Sequence, residues 1–136
     1  RGKPNSQGCE PVVGRSGSPS ASSLAPFWIT ASQVLNNKAG FLLYGYDSAF
    51  TPFQGGTLLV AQPFRRVGAQ NSGGNPPPND CSGTFAFDFN ARIRAGDAVE
   101  LVVGATISAQ WYSRDVQDPA GFGTSLSNAL RFTICP

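Results

Sequence analysis

Wherever this chain shows a pattern, apolar residues fall at every second position. Thr84-Phe85-Ala86-Phe87-Asp88-Phe89-Asn90 alternates without a break and puts Phe85, Phe87 and Phe89 on one side. Leu130, Phe132 and Ile134 alternate with Arg131 and Thr133, and Ile107, Ala109 and Trp111 alternate with Thr106, Ser108 and Gln110. A period of two is that of a strand with one buried face, and no long helical period competes with it. Phe41–Tyr46 and Thr57–Ala61 are short apolar runs of core-strand length. Turn signals separate the runs: Asn36-Asn37-Lys38-Ala39-Gly40, Gln54-Gly55-Gly56, Ala95-Gly96-Asp97 and Asp118-Pro119-Ala120-Gly121. Their Asn and Gly residues supply the positive φ angles that tight turns need. The expected fold is all-β, an antiparallel β-sandwich of about seven to nine strands.

At 136 residues the chain is long enough for one domain that buries roughly two-thirds of its unfolded surface. Residues 1–23 read as an N-terminal arm with a Ser/Gly/Pro-rich linker over Ser16–Ser23, and 24–136 as the sandwich. A second irregular stretch, Gly68–Asp80, carries Ser72-Gly73-Gly74-Asn75-Pro76-Pro77-Pro78, whose prolines enforce an extended, donor-poor path. A loop of that length is functional or is clamped by its neighbours. In an isolated domain Gly14–Ser23 and Gly68–Asn79 should be mobile unless something packs on them. The abrupt start, Arg1-Gly2-Lys3 with no initiator Met or signal peptide, reads as a processed or excised product.

Composition excludes much chemistry. The chain has no histidine, and so lacks the usual general base, nucleophile activator and metal ligand. A Ser-Lys dyad would have to use Lys3 or Lys38, both in apparently exposed turns. Glycoside hydrolysis by a carboxylate pair would draw on Asp88, Asp97, Glu100, Asp115 or Asp118, yet these fall at ordinary turn or solvated-strand positions. No cofactor is expected. Calcium at Asp115 and Asp118 is the one metal candidate, and their spacing matches no defined loop motif. The net charge of +2 has no basic run longer than Arg65-Arg66, which argues against nucleic acid. Arg92 and Arg94, two apart, would share one solvated strand face. No run of 18 apolar residues is present, so no helical membrane span is expected.

Cys9, Cys81 and Cys135 allow one intrachain disulfide and leave one odd thiol, which suits an oxidising compartment. A Cys9–Cys135 bond would tie the two ends together and constrain the unfolded chain by about 3–5 kcal/mol. The odd cysteine is then either buried or paired with another chain. Trp28, Tyr44, Tyr46, Trp111 and Tyr112 are candidates for an aromatic platform that stacks on sugar rings, with Arg114, Gln110 and Asn90 as hydrogen-bond partners. Trp111 and Tyr112 are adjacent, so on a strand only one of them can be core. Charge-free strands and a flexible arm also suit strand donation to a neighbouring subunit.

Several segments carry a resemblance. They are Asn36-Asn37-Lys38-Ala39-Gly40-Phe41-Leu42-Leu43-Tyr44-Gly45, Pro52-Phe53-Gln54-Gly55-Gly56-Thr57-Leu58-Leu59-Val60, and Ser72-Gly73-Gly74-Asn75-Pro76-Pro77-Pro78-Asn79-Asp80-Cys81-Ser82-Gly83. The tail adds Gln110-Trp111-Tyr112-Ser113-Arg114-Asp115 and Thr124-Ser125-Leu126-Ser127-Asn128-Ala129-Leu130-Arg131-Phe132-Thr133-Ile134-Cys135-Pro136. From Lys3 onward the chain resembles an uncharacterised β-rich module at the C-terminus of large secreted proteins of environmental bacteria. There it often follows β-propeller-type repeats or enzyme domains. The resemblance implies a secreted accessory or structural module and attaches no reaction to it. Relatives carry a Cys where this chain has Leu59, and a Thr-Pro pair where it has Arg66-Val67. If that Cys normally pairs with Cys81, then Cys81 is unpaired here and the bond is Cys9–Cys135.

The functional expectation is a non-catalytic, secreted structural subunit at the cell surface or beyond it. It would associate with copies of itself or with other extracellular proteins, plausibly in a filament or sheath. The alternative is a carbohydrate-binding module that takes a polysaccharide on the aromatic platform.

Overall fold

The structure, a computed structural model, describes residues 2–136; Arg1 lies outside the described residues. Among these residues the alternating runs become nine strands, all paired antiparallel. One sheet has the order β1-β2-β7, from Val12–Ser16, Trp28–Val34 and Gly83–Asp88. The other has the order β6-β3-β8-β9, from Arg65–Asn71, Ala39–Gly45, Thr106–Arg114 and Thr124–Thr133. A hairpin of β4 (Ser48–Phe53) and β5 (Gly56–Val60) stands apart as a third, two-stranded sheet.

The two larger sheets enclose the core. Ile29, Ala31 and Phe85 face Leu42, Tyr44, Ile107, Ala109 and Trp111, all of them buried. Gly40 shares the inward parity of Leu42 and Tyr44 for a steric reason: a Cβ there would strike the Phe85 ring and the Tyr112 carbonyl. At the sandwich's two sides, carboxamide side chains replace a backbone ladder. Gln70 of β6 donates to the Ala86 carbonyl of β7 at 2.9 Å and accepts from the Ala86 amide at 3.1 Å. Opposite, Asn128 of β9 accepts from the Val13 amide of β1 at 2.8 Å. Each side of the sandwich is thus bridged within the chain by a side chain, while β1, β7, β6 and β9 remain the outer strands of their sheets.

The Phe85-Phe87-Phe89 alternation does not stay a strand to Asn90, as expected; β7 ends at Asp88 and helix α1 spans Phe89–Ala95. Asp88 is not on a solvated sheet face. It is the N-cap, accepting from the Ala91 amide at 3.3 Å and from the Phe27 amide at 3.1 Å. Gly96, in the left-handed conformation at φ 75°, ends the helix. Phe89 and Ile93, four residues apart, enter the core on the helix's inner face. Arg92 and Arg94 accordingly lie in the helix's last turn, which favours cations, and not on a strand.

The N-terminal arm is likewise folded into its own chain. Val12–Ser16 pairs with β2, Lys3 bridges to Leu126 of β9, and Ser20 bridges to Cys135. The proline-rich loop is clamped too. The Asn36 amide donates to the carbonyls of Asn75 (2.7 Å) and Pro78 (3.2 Å), while its oxygen accepts from the Asp80 amide (2.9 Å).

The disulfide corrects the expected pairing. Cys9 is bonded to Cys81, with Cα atoms 6.5 Å apart, and Cys135 is a free, exposed thiol. Asn5 explains the geometry. Its Oδ1 accepts from the amides of Gln7 (3.0 Å) and Cys9 (3.2 Å), and its Nδ2 donates to the Gln33 carbonyl (3.2 Å), which ties the Cys9 turn to the end of β2, where Val34 pairs with Gly83, two residues after Cys81. Backbone pairing, and not a disulfide, holds the C-terminus, to the segment after β1: Ala21 donates to the Cys135 carbonyl and Cys135 to the Pro19 carbonyl.

Candidate functional site

Strand parity disperses the aromatic platform expected from the sequence. Tyr44 and Trp111 point inward and are fully buried, Tyr44 edge-on to Phe89 at 5.1 Å and Trp111 stacked on Phe85 at 4.9 Å. Tyr46 is half-buried beside Tyr44; burial first, then the neighbouring Tyr44 and Glu100, push its pKa above the usual tyrosine value. Trp28 is 40% exposed but belongs to the other sheet, and Asn90 is buried, holding Ser18, Ser20 and Ala25. Of the expected ring-binding set, Gln110, Tyr112 and Arg114 share the outer face of the four-stranded sheet through their common parity on β8, Gln110 buried there and the other two not.

That face carries a different aromatic group. Phe41 and Tyr112 are register partners on β3 and β8, and their rings stack at 4.6 Å with 10° between planes. Phe53, at the end of β4, meets Tyr112 edge-on at 6.5 Å, and the Arg66 guanidinium lies over Phe41 at 5.5 Å. With Leu43, Gln54, Phe64 and Arg114 these residues line a cleft of about 270 Å³. Phe41 and Tyr112 are half-buried, while Arg66 and Arg114 are exposed.

The β4–β5 hairpin builds the cleft wall, and one buried side chain anchors it. Gln110 of β8 accepts from the Leu59 amide at 3.0 Å and donates to the carbonyls of Thr57 (3.1 Å) and Ser127 (2.8 Å). The hairpin turn, Gln54-Gly55, has positive φ at both residues (49° and 83°), the hand that matches strand twist. This turn presents Phe53 and Gln54 to the cleft, and the Gln54 Oε1 has no hydrogen-bond partner. Gln110, expected as a ligand contact, is therefore a fixing point for the wall.

The cleft's charge is one-sided. Among the described residues no Asp or Glu lines it. Arg65, Arg92 and Arg94 are each near a carboxylate (Glu100, Asp97 and Asp88, at 3.6, 3.8 and 3.9 Å), whereas Arg66 and Arg114 have no such partner among the described residues.

The calcium candidates are engaged elsewhere. Asp115 accepts from the Ser6 amide (2.6 Å) and hydroxyl (2.7 Å). Asp118 takes the Lys3 ammonium and the amides of Ala120 (3.0 Å) and Phe122 (3.2 Å). The Lys3 ammonium thus neutralises Asp118, while Asp115 faces Ser6. Lys3, expected in an exposed turn, is buried. Lys38 is half-buried and donates to Asn36 and Asn79.

Tyr112 and Arg114 are the expected platform residues that do line the cleft: Trp111 and Tyr112 must face opposite ways, and the buried Trp111 leaves Tyr112 outside. Phe53 and Arg66 carried no signal, because their convergence depends on how the hairpin folds over the sheet. No family model, curated protein or solved structure matches the chain.

Proposed function

We propose that the chain is a non-catalytic extracellular module that binds a polysaccharide in the Phe41–Tyr112 cleft. The observation that carries this reading is the convergence of four aromatic side chains and two guanidinium groups on one concave patch. Apolar walls with a few polar groups are the usual make-up of a ligand cleft. The Cys9–Cys81 bond supports an oxidising, extracellular setting, and the absence of histidine supports a binding role over a catalytic one.

The geometry favours this over self-assembly through a detachable arm, because the arm is folded in cis, with Val12–Ser16 paired to β2 and Lys3 bridged to Leu126. One observation keeps assembly as a second reading: Phe50, 83% exposed, projects from β4, whose outer edge is unpaired.

Calorimetric titration with a panel of neutral and acidic oligosaccharides tests the first reading. Binding to at least one glycan should be abolished by Tyr112→Ala and unaffected by Trp28→Ala, with each variant's fold checked by circular dichroism. No binding across the panel, or binding that depends on Trp28, overturns it. Light scattering on the same samples decides the second: fibres or high-mass species lost on Phe50→Ser would establish assembly, and a 14.3 kDa monomer would dismiss it.

A further inference from the structure

We infer that the ligand of this cleft is an acidic polysaccharide, its uronate carboxylates held by Arg66 and Arg114. The inference rests on the cleft being the binding site and adds the chemical class of what it binds. The charged groups lining the cleft are both guanidinium, and neither has a carboxylate partner among the described residues. A cation left uncompensated beside an apolar wall is complementary to an anion that arrives with the ligand.

The kind of anion follows from the donors. Guanidinium offers a planar fork of N–H groups that fits a carboxylate with two parallel hydrogen bonds. Arg66 is held over the Phe41 ring, which limits the orientations of its fork. The position of the pair indicates a polymer. Arg66 comes from β6 on one side of β3, and Arg114 from β8 on the other, so the two cations flank the stacked rings. A chain with a carboxylate on successive sugars would meet both while its ring faces lie on the aromatic surface. A neutral glycan would leave both cations unused. Nucleic acid fits less well, because the net charge is only +2 and no basic run extends beyond the cleft.

The test titrates the protein with oligogalacturonate, with the same oligomer as its methyl ester, and with poly-glutamate. The ester removes the charge and keeps the backbone. We expect oligogalacturonate to bind at least about tenfold more tightly than the ester, as charge-assisted hydrogen bonds do over neutral ones. Arg66→Gln with Arg114→Gln should bring the acid down to the ester's affinity. Both positions are exposed, so the fold should survive, and thermal unfolding checks it. Equal binding of acid and ester, lost on Tyr112→Ala, would overturn the acidic ligand and leave the cleft reading standing. Binding of poly-glutamate as tight as that of the uronate would show that charge alone is read and overturn the sugar. Binding of no glycan at all would remove both readings.

Discussion

Lys3 and Asp118 form a buried ion pair that pins the N-terminal segment to the turn after β8, and Phe122 lies under the same ammonium at 5.5 Å. Burial pushes the Asp118 carboxyl up, but the Lys3 hydrogen bond, the Ala120 amide and the Lys3 charge together pull it further, below the ordinary carboxylate value. A carboxyl with a lowered folded-state pKa contributes stability that is present above its unfolded value of about 3.8 and is lost as pH falls through the folded one. Acid unfolding should therefore show a component below about pH 4 that is missing in Asp118→Asn. That variant leaves Lys3 buried without its partner and should cost about 3 kcal/mol near neutral pH. Adding Lys3→Met should recover part of the loss; if the single variant unfolds like the wild type in urea, the pair is not structural. At this scale the sequence was least legible. Lys3 read as an exposed turn residue, because no local pattern reports a partner more than a hundred positions away. The cleft suffered likewise. Tyr44 and Trp111 carry the residue types of a sugar platform, yet their inward parity on β3 and β8 commits them to the core.

Helix α1 makes a different point about local signals. Its two caps, Asp88 and Gly96, are both visible in the sequence, but seven residues are too few to show a helical period. The apolar alternation of β7 runs through Phe89, so the boundary is marked only by the cap. Asp88→Ala should cost about 1–2 kcal/mol, since it strips acceptors from Ala91 and Phe27 together. Differential scanning calorimetry would read this as a fall of roughly 4–8 °C in Tm. An unchanged Tm would mean that tertiary packing of Phe89 and Ile93 alone holds the helix. Strands β3, β5, β7, β8 and β9 follow apolar patterns that the sequence displays plainly. Strand β1 does not: Val12-Val13-Gly14-Arg15-Ser16 sits in a Ser/Gly-rich neighbourhood and owes its extended form to register with β2.

Across the whole molecule the disulfide is the longest covalent constraint, spanning 72 residues. Loop-closure entropy for that span is about 4 kcal/mol, so Cys9→Ser with Cys81→Ser should lower stability by about that amount. A non-reducing peptide map should show Cys9 linked to Cys81 and Cys135 open to alkylation; a linked Cys135 would refute the arrangement. Three cysteines fix no connectivity on their own, and the pairing implied by the family resemblance misplaced the bond. The fold class, by contrast, was legible throughout, because a period of two and regular turns leave few alternatives to a sandwich. The bond also shapes how the protein wears. Everything between residues 10 and 80, including the β4–β5 hairpin with the exposed Phe50, lies inside the covalent ring. A protease that cuts this chain once there opens a loop without releasing a fragment. The bridge between Ser20, inside the ring, and Cys135, outside it, also holds the C-terminus, so a molecule nicked in the hairpin keeps its parts joined.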